Sequence, residues 1–351
     1  MAVSSSWRPV GRLLLTGFPG WLADALLIDL RRDPLPGLRR IRCLVQPGVT
    51  VEPSVAQRGA PFEIELYRGD LRDPAALAEA VRGIDTVFHS AGVVHCRRVG
   101  DWYDVNTAGT RRLIDAAAAA GAERFVLVSS NAAAGRAERF DQRLTEDDPP
   151  CPLSHYGRSK WLAEQEVHAR ADRIETVVLR PCMFYGPPVP PRHVEIYRRI
   201  LAGRMPLVGG GQFARSLSHI DNLVQGSRLA MVHPAAPGQT YYITDRPIYT
   251  TRQIVEAMAE ALGCAPRYLP LPRVVGPIAY GVDVTVSLLG FYWQTVHLVG
   301  ESDWHVGVSC GKAERELGYA PRVELSEGMR QAIAWCRSRG LLDPPVERRA
   351  A

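Results

Sequence analysis

The stretch RLLLTGFPGWLADALLIDLRRD, residues 12–33, decides the fold. The apolar run at 12–16 predicts a β-strand, and the apolar residues that recur beyond the turn predict an amphipathic helix. Between them, Gly17 permits a tight turn, Gly20 lets the backbone approach a ligand closely, and the small Ala23 lets the helix pack against the strand. The free N–H groups at such a helix start favour a pyrophosphate. The stretch therefore predicts the first strand–turn–helix unit of a dinucleotide-binding fold.

Strand and helix patterns go on alternating up to residue 181. This alternation predicts an α/β protein with a Rossmann-type doubly wound parallel sheet, whose ligands bind at the carboxyl ends of the strands. We expect residues 1–188 to form the dinucleotide-binding domain, with 219–245 returning to it, and residues 189–218 and 246–351 to form a smaller, mostly helical substrate-binding domain. Further strands are predicted at 40–46, 62–71, 85–92, 124–130 and 174–181, and further helices at 77–83, 106–121 and 155–171.

Composition and charge exclude several classes of protein. The chain has 351 residues, 46% apolar and 23% charged, as an ordinary globular protein does. Its net charge of +5 comes from scattered arginines, which does not favour nucleic-acid binding. Seven widely spaced cysteines without a C-x-x-C pair predict neither a disulfide framework nor a metal site. Because Arg8, Pro9 and Arg12 interrupt the N-terminal apolar run, it is not a signal peptide, and we expect a cytoplasmic protein.

The sequence YGRSK at 156–160 places a tyrosine and a lysine on one face of a predicted helix. Lys160 and Lys312 are the only lysines among 42 basic residues. A free phenol has a pKa near ~10, and a neighbouring ammonium lowers it by charge attraction. A compact ammonium can also bond ribose hydroxyls, a task that a broad guanidinium fits less well. The pattern therefore predicts a tyrosine acid–base whose lysine is kept for chemistry.

Eight segments occurring in this order resemble the extended short-chain dehydrogenase/reductase family. Two later segments, 240–250 and 312–335, resemble its 3β-hydroxysteroid dehydrogenase/isomerase-like branch. The eight are TGFPGWLA from residue 16, GDLRD (69–73), VFHSAG (87–92), VNTAGT (105–110), VSSNAAAG (128–135), YGRSK (156–160), LRPCMFYGP (179–187) and SLSHIDNLV (216–224).

This resemblance implies a catalytic set. Tyr156 would be the general acid/base, Lys160 would hold the nicotinamide ribose and lower the pKa of Tyr156, and Ser130 would bond the reacting oxygen. Asn106 would support the strand that holds the site, although it is also in position to cap the following helix. The implied cofactor contacts are Gly17, Phe18, Pro19, Gly20, Trp21, Leu22, Gln46, Asp70, Leu71, Ala91, Gly92, Val93, Tyr156, Lys160, Pro181 and Met183.

The cofactor implied is NAD(H) or NADP(H). An acidic residue after the second strand favours NAD and an arginine favours NADP, whereas this chain has the neutral Gln46. Absence of a carboxylate at position 46 gives a slight lean to NADP(H). The residues after Ser130 are Asn131 and Ala132, not the acidic pair of sugar-nucleotide dehydratases, so dehydration is not expected.

The function implied is an NAD(P)-dependent oxidoreductase that interconverts a secondary alcohol and a ketone on a bulky, largely apolar, steroid-, polyketide- or lipid-like substrate. One alternative is a nucleotide-sugar epimerase with tightly bound NAD, in which Arg215 would meet the diphosphate. Another is a non-catalytic dinucleotide-sensing regulator, which the retained tyrosine and lysine disfavour. The candidate substrate contacts are His95, Phe184, Arg215, Tyr280, Leu288 and Phe291.

Residues 274–293, VVGPIAYGVDVTVSLLGFYW, carry Asp283 as their only formal charge. This pattern predicts either a buried helix of the small domain or an apolar wall at the substrate mouth. Pro277, the glycines and Asp283 argue against a membrane span of the needed ~20 residues. In the branch that the chain resembles, this region borders the substrate mouth, where it can contact a membrane surface or a partner subunit. Peripheral membrane contact and a homodimer are therefore both left open.

Overall fold

The computed structural model describes residues 7–51 and 59–342. The ends of the two predicted domains, 1–6 and 343–351, and the segment 52–58 lie outside this range. The described strands are β1 Arg12–Phe18, β2 Arg40–Val45, β3 Glu63–Arg68, β4 Thr86–His89, β5 Arg124–Val128, β6 Glu175–Pro181, β7 Met183–Tyr185, β8 Met205–Val208, β9 Ala214–Arg215, β10 Leu217–His219, β11 Gln239–Ile243, β12 Tyr249–Thr250 and β13 Tyr268–Leu271.

The described helices follow the strands along the chain. A π-helical turn, Tyr103–Gly109, joins the α-helices Val99–Trp102 and Thr110–Ala119 into one continuous helical stretch. The α-helices are α1 Trp21–Arg32, α2 Pro74–Ala80, α3 Val99–Trp102, α4 Thr110–Ala119, α5 His155–His168, α6 Pro191–Leu201, α7 Ile220–Val232, α8 Thr251–Leu262, α9 Val275–Leu288, α10 Gln294–Gly300, α11 Gly311–Leu317 and α12 Leu325–Ser338.

A seven-stranded sheet organises the described chain. Its strand order is β11-β6-β5-β4-β1-β2-β3, and neighbouring strands pair in parallel. The order reverses between β1 and β4, so the carboxyl ends of these strands border the crevice where ligands of such sheets bind. The predicted Rossmann-type parallel sheet is confirmed.

Both faces of the sheet are buried. Leu13 and Leu15 of β1 face the core shared with α1 and α7, whereas Leu14 faces the core shared with α2, α4 and α5. Successive side chains of a strand point to opposite faces, so a strand covered on both sides reads as a continuous apolar run. This is why RLLLT is apolar without alternation.

A third core lies beside the sheet and is helical. It is formed by apolar side chains of α6, α8 and α12, including Val194, Ile254 and Met329. Helices α9 and α10 pack against each other next to it. Helices α6, α8, α9, α10 and α12, with the segments that connect them, are called the helical lobe below.

Two expectations about helices are wrong. The helical stretch predicted from residue 106 begins at Val99, so Asn106 lies inside the π-helical turn and does not cap a helix. Helix α9 is not a buried helix, because only Gly276 and Asp283 of its residues are buried. No helix in the described part of the chain has both the length and the apolar character needed to cross a membrane.

Candidate active site

The glycine turn brings the end of β1 against the end of β4. Gly17 has a φ of +80°, and a Cβ there would lie 2.8 Å from the backbone nitrogen of Ala91. A side chain at Gly17 is therefore excluded by both backbone conformation and space. Phe18 and Leu22 bury their side chains in the core, so contact with a ligand at this turn falls to their backbone groups.

Hydrogen bonds hold this crevice rigidly. Ser90 Oγ donates to the Thr16 carbonyl at 2.7 Å, and Thr16 Oγ1 accepts from the Ala91 nitrogen at 3.2 Å. The Thr16 hydroxyl also bonds His89 Nδ1 at 2.7 Å. Burial, followed by the charge of Lys160, lowers the pKa of His89 to about 3. His89 is thus a neutral bridge between elements and takes no direct part in acid–base chemistry.

Asn106 clamps the loop that follows β4. Its Oδ1 accepts from the Val93 nitrogen at 2.8 Å, and its Nδ2 donates to the Val93 carbonyl and the Ser159 hydroxyl, both at 3.0 Å. A Cβ at Gly92 would lie 2.9 Å from Asn106 Oδ1, so the residue must be glycine here. The π-helical turn sets this side chain between the loop and α5, and such turns often mark functional sites.

Tyr156 and Ser130 lie together. Tyr156 is in the first turn of α5, which Ser154 caps by accepting from the Gly157 nitrogen at 3.2 Å. Ser130 lies two residues after the end of β5, the strand that pairs with β4. Burial raises the pKa of Tyr156, and a hydrogen bond with the Ser130 side chain opposes that rise. The two hydroxyls are therefore neighbours, and their shared contact with one substrate oxygen stays a prediction.

Lys160 is buried beneath the candidate site. Its side chain is buried, and Nζ donates to the Val128 carbonyl at 2.7 Å. Burial lowers the pKa of Lys160 to about 8, against the opposing charge of Glu164. A Cβ at Gly92 would lie 3.9 Å from Nζ, so the ammonium borders the loop that Asn106 clamps.

Two charged residues that sequence reasoning missed, Glu301 and Arg192, have smaller effects on the pKa of Tyr156. After burial and Ser130, the groups that influence the pKa of Tyr156 are Glu301, which raises it, and Arg192, which lowers it. The effect of Lys160 on this pKa stays a prediction. An arginine after the prolines of 187–191 carries no sequence signal for such a role, because only tertiary packing brings it to Tyr156.

Where the site is predicted to bind adenosine, the carboxylate of Asp70 is paired with Arg72. Arg72 donates to Asp70 through Nε at 2.9 Å and Nη2 at 2.8 Å. These bonds lower the pKa of Asp70 to about 2. Gln46 Nε2 lies 3.5 Å from the same carboxylate, so residues 46 and 70 do meet across β2 and β3. Leu71 buries its side chain in the core shared with α2, α4 and α5.

The end of β6 leads into an aromatic group beside the glycine turn. Pro181 closes β6 and Met183 begins β7, with Met183 half exposed. Phe184 meets Trp21 edge-on, with ring centroids 5.8 Å apart. The structure thus brings Phe184, a predicted substrate contact, to the turn that follows β1.

The remaining substrate candidates lie on or against the helical lobe. His95 Nδ1 is 3.1 Å from the Tyr292 hydroxyl, and their rings stack. The Tyr280 hydroxyl reaches the Leu153 carbonyl at 3.5 Å, just before α5. Leu288 and Phe291 are 82% and 61% exposed.

Arg215 requires a correction. It was expected to meet a sugar diphosphate, but its terminal nitrogens are engaged within the protein, so the guanidinium closes a loop of the helical lobe. It donates to the backbone carbonyls of Ala214, Glu301, Ser302 and Trp304.

A buried charge cluster ties α9 to α10. His297 Nδ1 lies 2.8 Å from Asp283 Oδ2, and His297 Nε2 lies 3.2 Å from Glu301 Oε1. Burial by itself would lower the pKa of His297, but its bonds with Asp283 and Glu301 raise it to about 9. The imidazole is therefore a cation at neutral pH, held between two carboxylates.

Comparisons with known proteins agree with the fold described above. The model of the NAD dependent epimerase/dehydratase family matches residues 13–244. A 2-alkyl-3-oxoalkanoate reductase of Stenotrophomonas maltophilia is 30% identical over 76% of this chain and 85% of its own. A 3 beta-hydroxysteroid dehydrogenase/Delta 5→4-isomerase of Mycobacterium tuberculosis is 29% identical over 95% and 93%. The structure of MoeE5 in complex with UDP-glucuronic acid and NAD superposes with a TM-score of 0.75 at 25% identity, covering 94% and 100%.

Proposed function

The chain belongs to the NAD dependent epimerase/dehydratase family, and we propose that it interconverts a secondary alcohol and a ketone on a bulky, largely apolar substrate. The observation that carries this proposal is the pair of neighbouring hydroxyls of Ser130 and Tyr156, with the buried ammonium of Lys160 one turn further along α5. Members of this family act on CH–OH groups with a nicotinamide cofactor, and the side-chain-free cradle at Gly17 fits a pyrophosphate.

The acid–base chemistry falls to Tyr156. When bound, the nicotinamide supplies or accepts the hydride. Tyr156 gives its proton to the ketone oxygen during reduction and removes it from the alcohol during oxidation. Ser130 holds the same oxygen, and Lys160 is positioned to bond the cofactor ribose. Burial keeps the phenol protonated at rest, which suits donation of a proton to a ketone.

The apolar character of the substrate is supported by the exposed side chains of the helical lobe and by the steroid and oxoalkanoate relatives. The epimerase alternative draws support from MoeE5 and its UDP-glucuronic acid. The epimerase alternative is weakened because Arg215, the residue expected to bind the diphosphate, already donates its hydrogen bonds to backbone carbonyls. Micromolar binding of UDP-glucose in calorimetry would favour the epimerase over our proposal.

Two variants of the catalytic pair test the reaction. Tyr156→Phe should abolish turnover of secondary alcohols yet leave the Kd for NAD nearly unchanged, because only the ionisable oxygen is removed. Lys160→Arg should lose more than about tenfold in kcat, roughly 1.4 kcal/mol, because a guanidinium does not fit the buried site at the Val128 carbonyl. Turnover by Tyr156→Phe at wild-type rate would remove the proposed mechanism.

We further propose that residues 274–293 dock on a membrane surface. Leu288, Leu289, Phe291 and Trp293 are all more than half exposed. The backbone of Arg98 bridges that of Phe291, and both Arg97 and Arg98 are exposed beside this apolar tip. Exposed aromatic and aliphatic side chains flanked by arginines suit the interface of an anionic bilayer. The seven widely spaced cysteines of the sequence, which include no C-x-x-C pair, support a reducing compartment, and hence the cytoplasmic side of such a membrane.

A further inference from the structure

A groove rich in arginine lies at the end of α6, beside the two-stranded sheet of β8 and β13. Its volume is about 440 Å³, and three guanidiniums and one carboxylate line it together with apolar side chains. Pro206 of β8 and Leu269 of β13, which are register partners, both lie in its wall. Its arginines are exposed, and none of them is a candidate site residue: Arg198, Arg199 and Arg204. This groove, together with the neighbouring Arg267, is called the basic groove below.

Tertiary contacts hold the four arginines of the basic groove together. The Arg204 nitrogen donates to the Arg199 carbonyl at 2.9 Å, so Arg204 stays at the end of the helix. A Cβ at Gly203 would lie 3.2 Å from Arg267 Cδ, so the Arg267 side chain packs against the loop that carries Arg204. The carboxylate of the groove, Glu195, is paired with Arg199 at 3.3 Å. Four arginines against one glutamate leave an excess of three positive charges, whereas the net charge of the whole chain is +5.

Local structure accounts for only two of these arginines. Arg198 and Arg199 lie in the last turn of α6, where positive charge stabilises the free carbonyl groups of a helix. Arg198 also donates to the Leu341 carbonyl at 3.0 Å. Arg204 lies beyond the helix and Arg267 comes from another segment, and neither side chain has an ion pair or a hydrogen bond with residues 7–51 or 59–342. Like charges gathered in one groove repel one another, and a bound anion relieves that repulsion.

The rim of the basic groove is apolar. Leu201 and Leu269 are 46% and 50% exposed. Beyond β13, Pro272 and Arg273 are exposed and lead into residues 274–293. A basic cluster that borders an apolar surface is the pattern by which proteins bind anionic bilayers. A soluble anion needs the positive charge alone, so the apolar rim favours a bilayer.

We propose that the basic groove binds the headgroups of anionic phospholipids and is a second membrane contact beside residues 274–293. This inference rests on the membrane docking proposed above and deepens it, because it names the class of lipid. A planar guanidinium can donate two parallel hydrogen bonds to phosphate oxygens, so several guanidiniums around one concave surface suit a phosphate headgroup. The apolar residues 274–293 bind to any bilayer, whereas the basic groove selects one with negative charge.

The test is cosedimentation with two kinds of vesicle, phosphatidylcholine alone and phosphatidylcholine–phosphatidylserine. The proteins compared are the wild type, Arg204→Gln/Arg267→Gln, the control Arg82→Gln/Arg139→Gln and Leu288→Glu. The control removes two exposed, ion-paired arginines elsewhere on the surface, so it changes the net charge by the same amount.

We expect the wild type to bind the anionic vesicles at least about tenfold more tightly than the neutral ones. Arg204→Gln/Arg267→Gln should weaken binding to anionic vesicles by about 25-fold, because each arginine near an anionic surface contributes about fivefold. Its binding to neutral vesicles should be unchanged, and the control should match the wild type. Raising the salt from about 0.1 to about 1 M shortens the Debye length from about 10 to about 3 Å, so the wild type should lose its preference for anionic vesicles.

Several results would overturn the inference. Equal binding of both kinds of vesicle by the wild type is one, and anionic-vesicle binding by Arg204→Gln/Arg267→Gln at the wild-type level is another. Release of the wild type by millimolar inorganic phosphate, but not by sodium chloride of equal ionic strength, would assign the groove to a soluble phosphate. Dissociation of a dimer in the same double variant, measured by sedimentation velocity, would assign it to a second copy of this chain.

Failure of the functions already proposed would look different. If residues 274–293 do not dock on a membrane, Leu288→Glu binds both kinds of vesicle as the wild type does, while the loss in Arg204→Gln/Arg267→Gln persists. Turnover that survives Tyr156→Phe removes the oxidoreductase function without affecting vesicle binding. The salt dependence is measured on the wild type, so it tests the inference even if a variant fails to fold.

Discussion

Lys160 shows how surroundings select a residue type in this chain. The backbone carbonyl of Val128, the loop at Gly92 and the helix carrying Glu164 leave room for a compact ammonium. Arginine occupies 40 of the 42 basic positions, both on the surface and in buried ion pairs such as that of Arg180 with Glu164. A buried single-point donor is the one setting in which the exchange fails, because a guanidinium needs space and several acceptors.

Residue 46 determines the cofactor if it faces the adenosine ribose. Gln46→Asp should shift preference toward NAD, because a carboxylate accepts from the 2′-hydroxyl and repels a 2′-phosphate. Asp70, which lies 3.5 Å from Gln46, is already neutralised by Arg72, so the new charge would dominate there. The measurement is the ratio of kcat/KM for NAD and NADP. An unchanged ratio would show that residue 46 points away from the ribose.

Helices α9 and α10 are held together by charge more than by apolar packing. Asp283 and His297 are the buried polar residues of the pair, while most apolar side chains of α9 face solvent. Buried ionised groups are tolerated only when they are paired and bonded. The mutual pairing of Asp283, His297 and Glu301 therefore fixes how α9 is oriented and which of its side chains are exposed.

This cluster predicts a pH dependence of stability. The folded pKa of His297, about 9, is above its ordinary 6.5, so the stabilisation is fully present below pH 6.5 and is lost as pH rises through 9. The loss is on the order of 3 kcal/mol. We expect the free energy of unfolding to fall between pH 7 and pH 10 in the wild type. In His297→Gln the fall should be smaller by that amount, and identical pH profiles would contradict the assignment.

At the scale of the whole molecule, the sheet lobe and the helical lobe supply different residues to the candidate site. The sheet lobe holds the hydroxyl pair and Lys160 at the carboxyl ends of its strands, while the helical lobe brings Arg192 and Glu301 toward Tyr156. The outer side of the helical lobe is apolar at residues 288–293. We therefore expect the chemistry to depend on the sheet lobe and substrate selection to depend on the helical lobe.

We expect the exposed apolar residues at 288–293 to bind a membrane surface and so to hold the crevice close to it. Leu288→Glu or Phe291→Glu should weaken binding to phosphatidylcholine–phosphatidylserine vesicles in cosedimentation by about tenfold or more, because each removes roughly 1.5–3 kcal/mol of apolar burial. Both should also weaken binding of an apolar substrate, with cofactor affinity unchanged. Ile28→Glu is the matched control, since Ile28 is an exposed apolar residue of α1. Equal vesicle binding by all variants would remove the membrane proposal.

The sequence by itself determined the parts of this protein that are local in the chain. The strand–glycine–helix unit at 12–33, the alternation of strands and helices, and the Tyr156–Lys160 spacing could be predicted because each depends on neighbouring residues with fixed periodicities. Element boundaries were less exact, as the start at Val99 shows, because a π-helical turn has no sequence signature of its own. The confirmed fold follows from these local patterns.

Only the tertiary structure decided how distant residues meet. It bonded Arg215 to carbonyls that lie 86 to 89 residues further along and paired Asp283 with His297. It also let the charges of Glu301 and Arg192 act on the pKa of Tyr156. Helix α9 is largely exposed in the structure, although its apolar composition was compatible with a buried helix. The physical reason is that these contacts arise from the docking of two lobes. Which charge finds which partner depends on that geometry and not on the local preference of either residue.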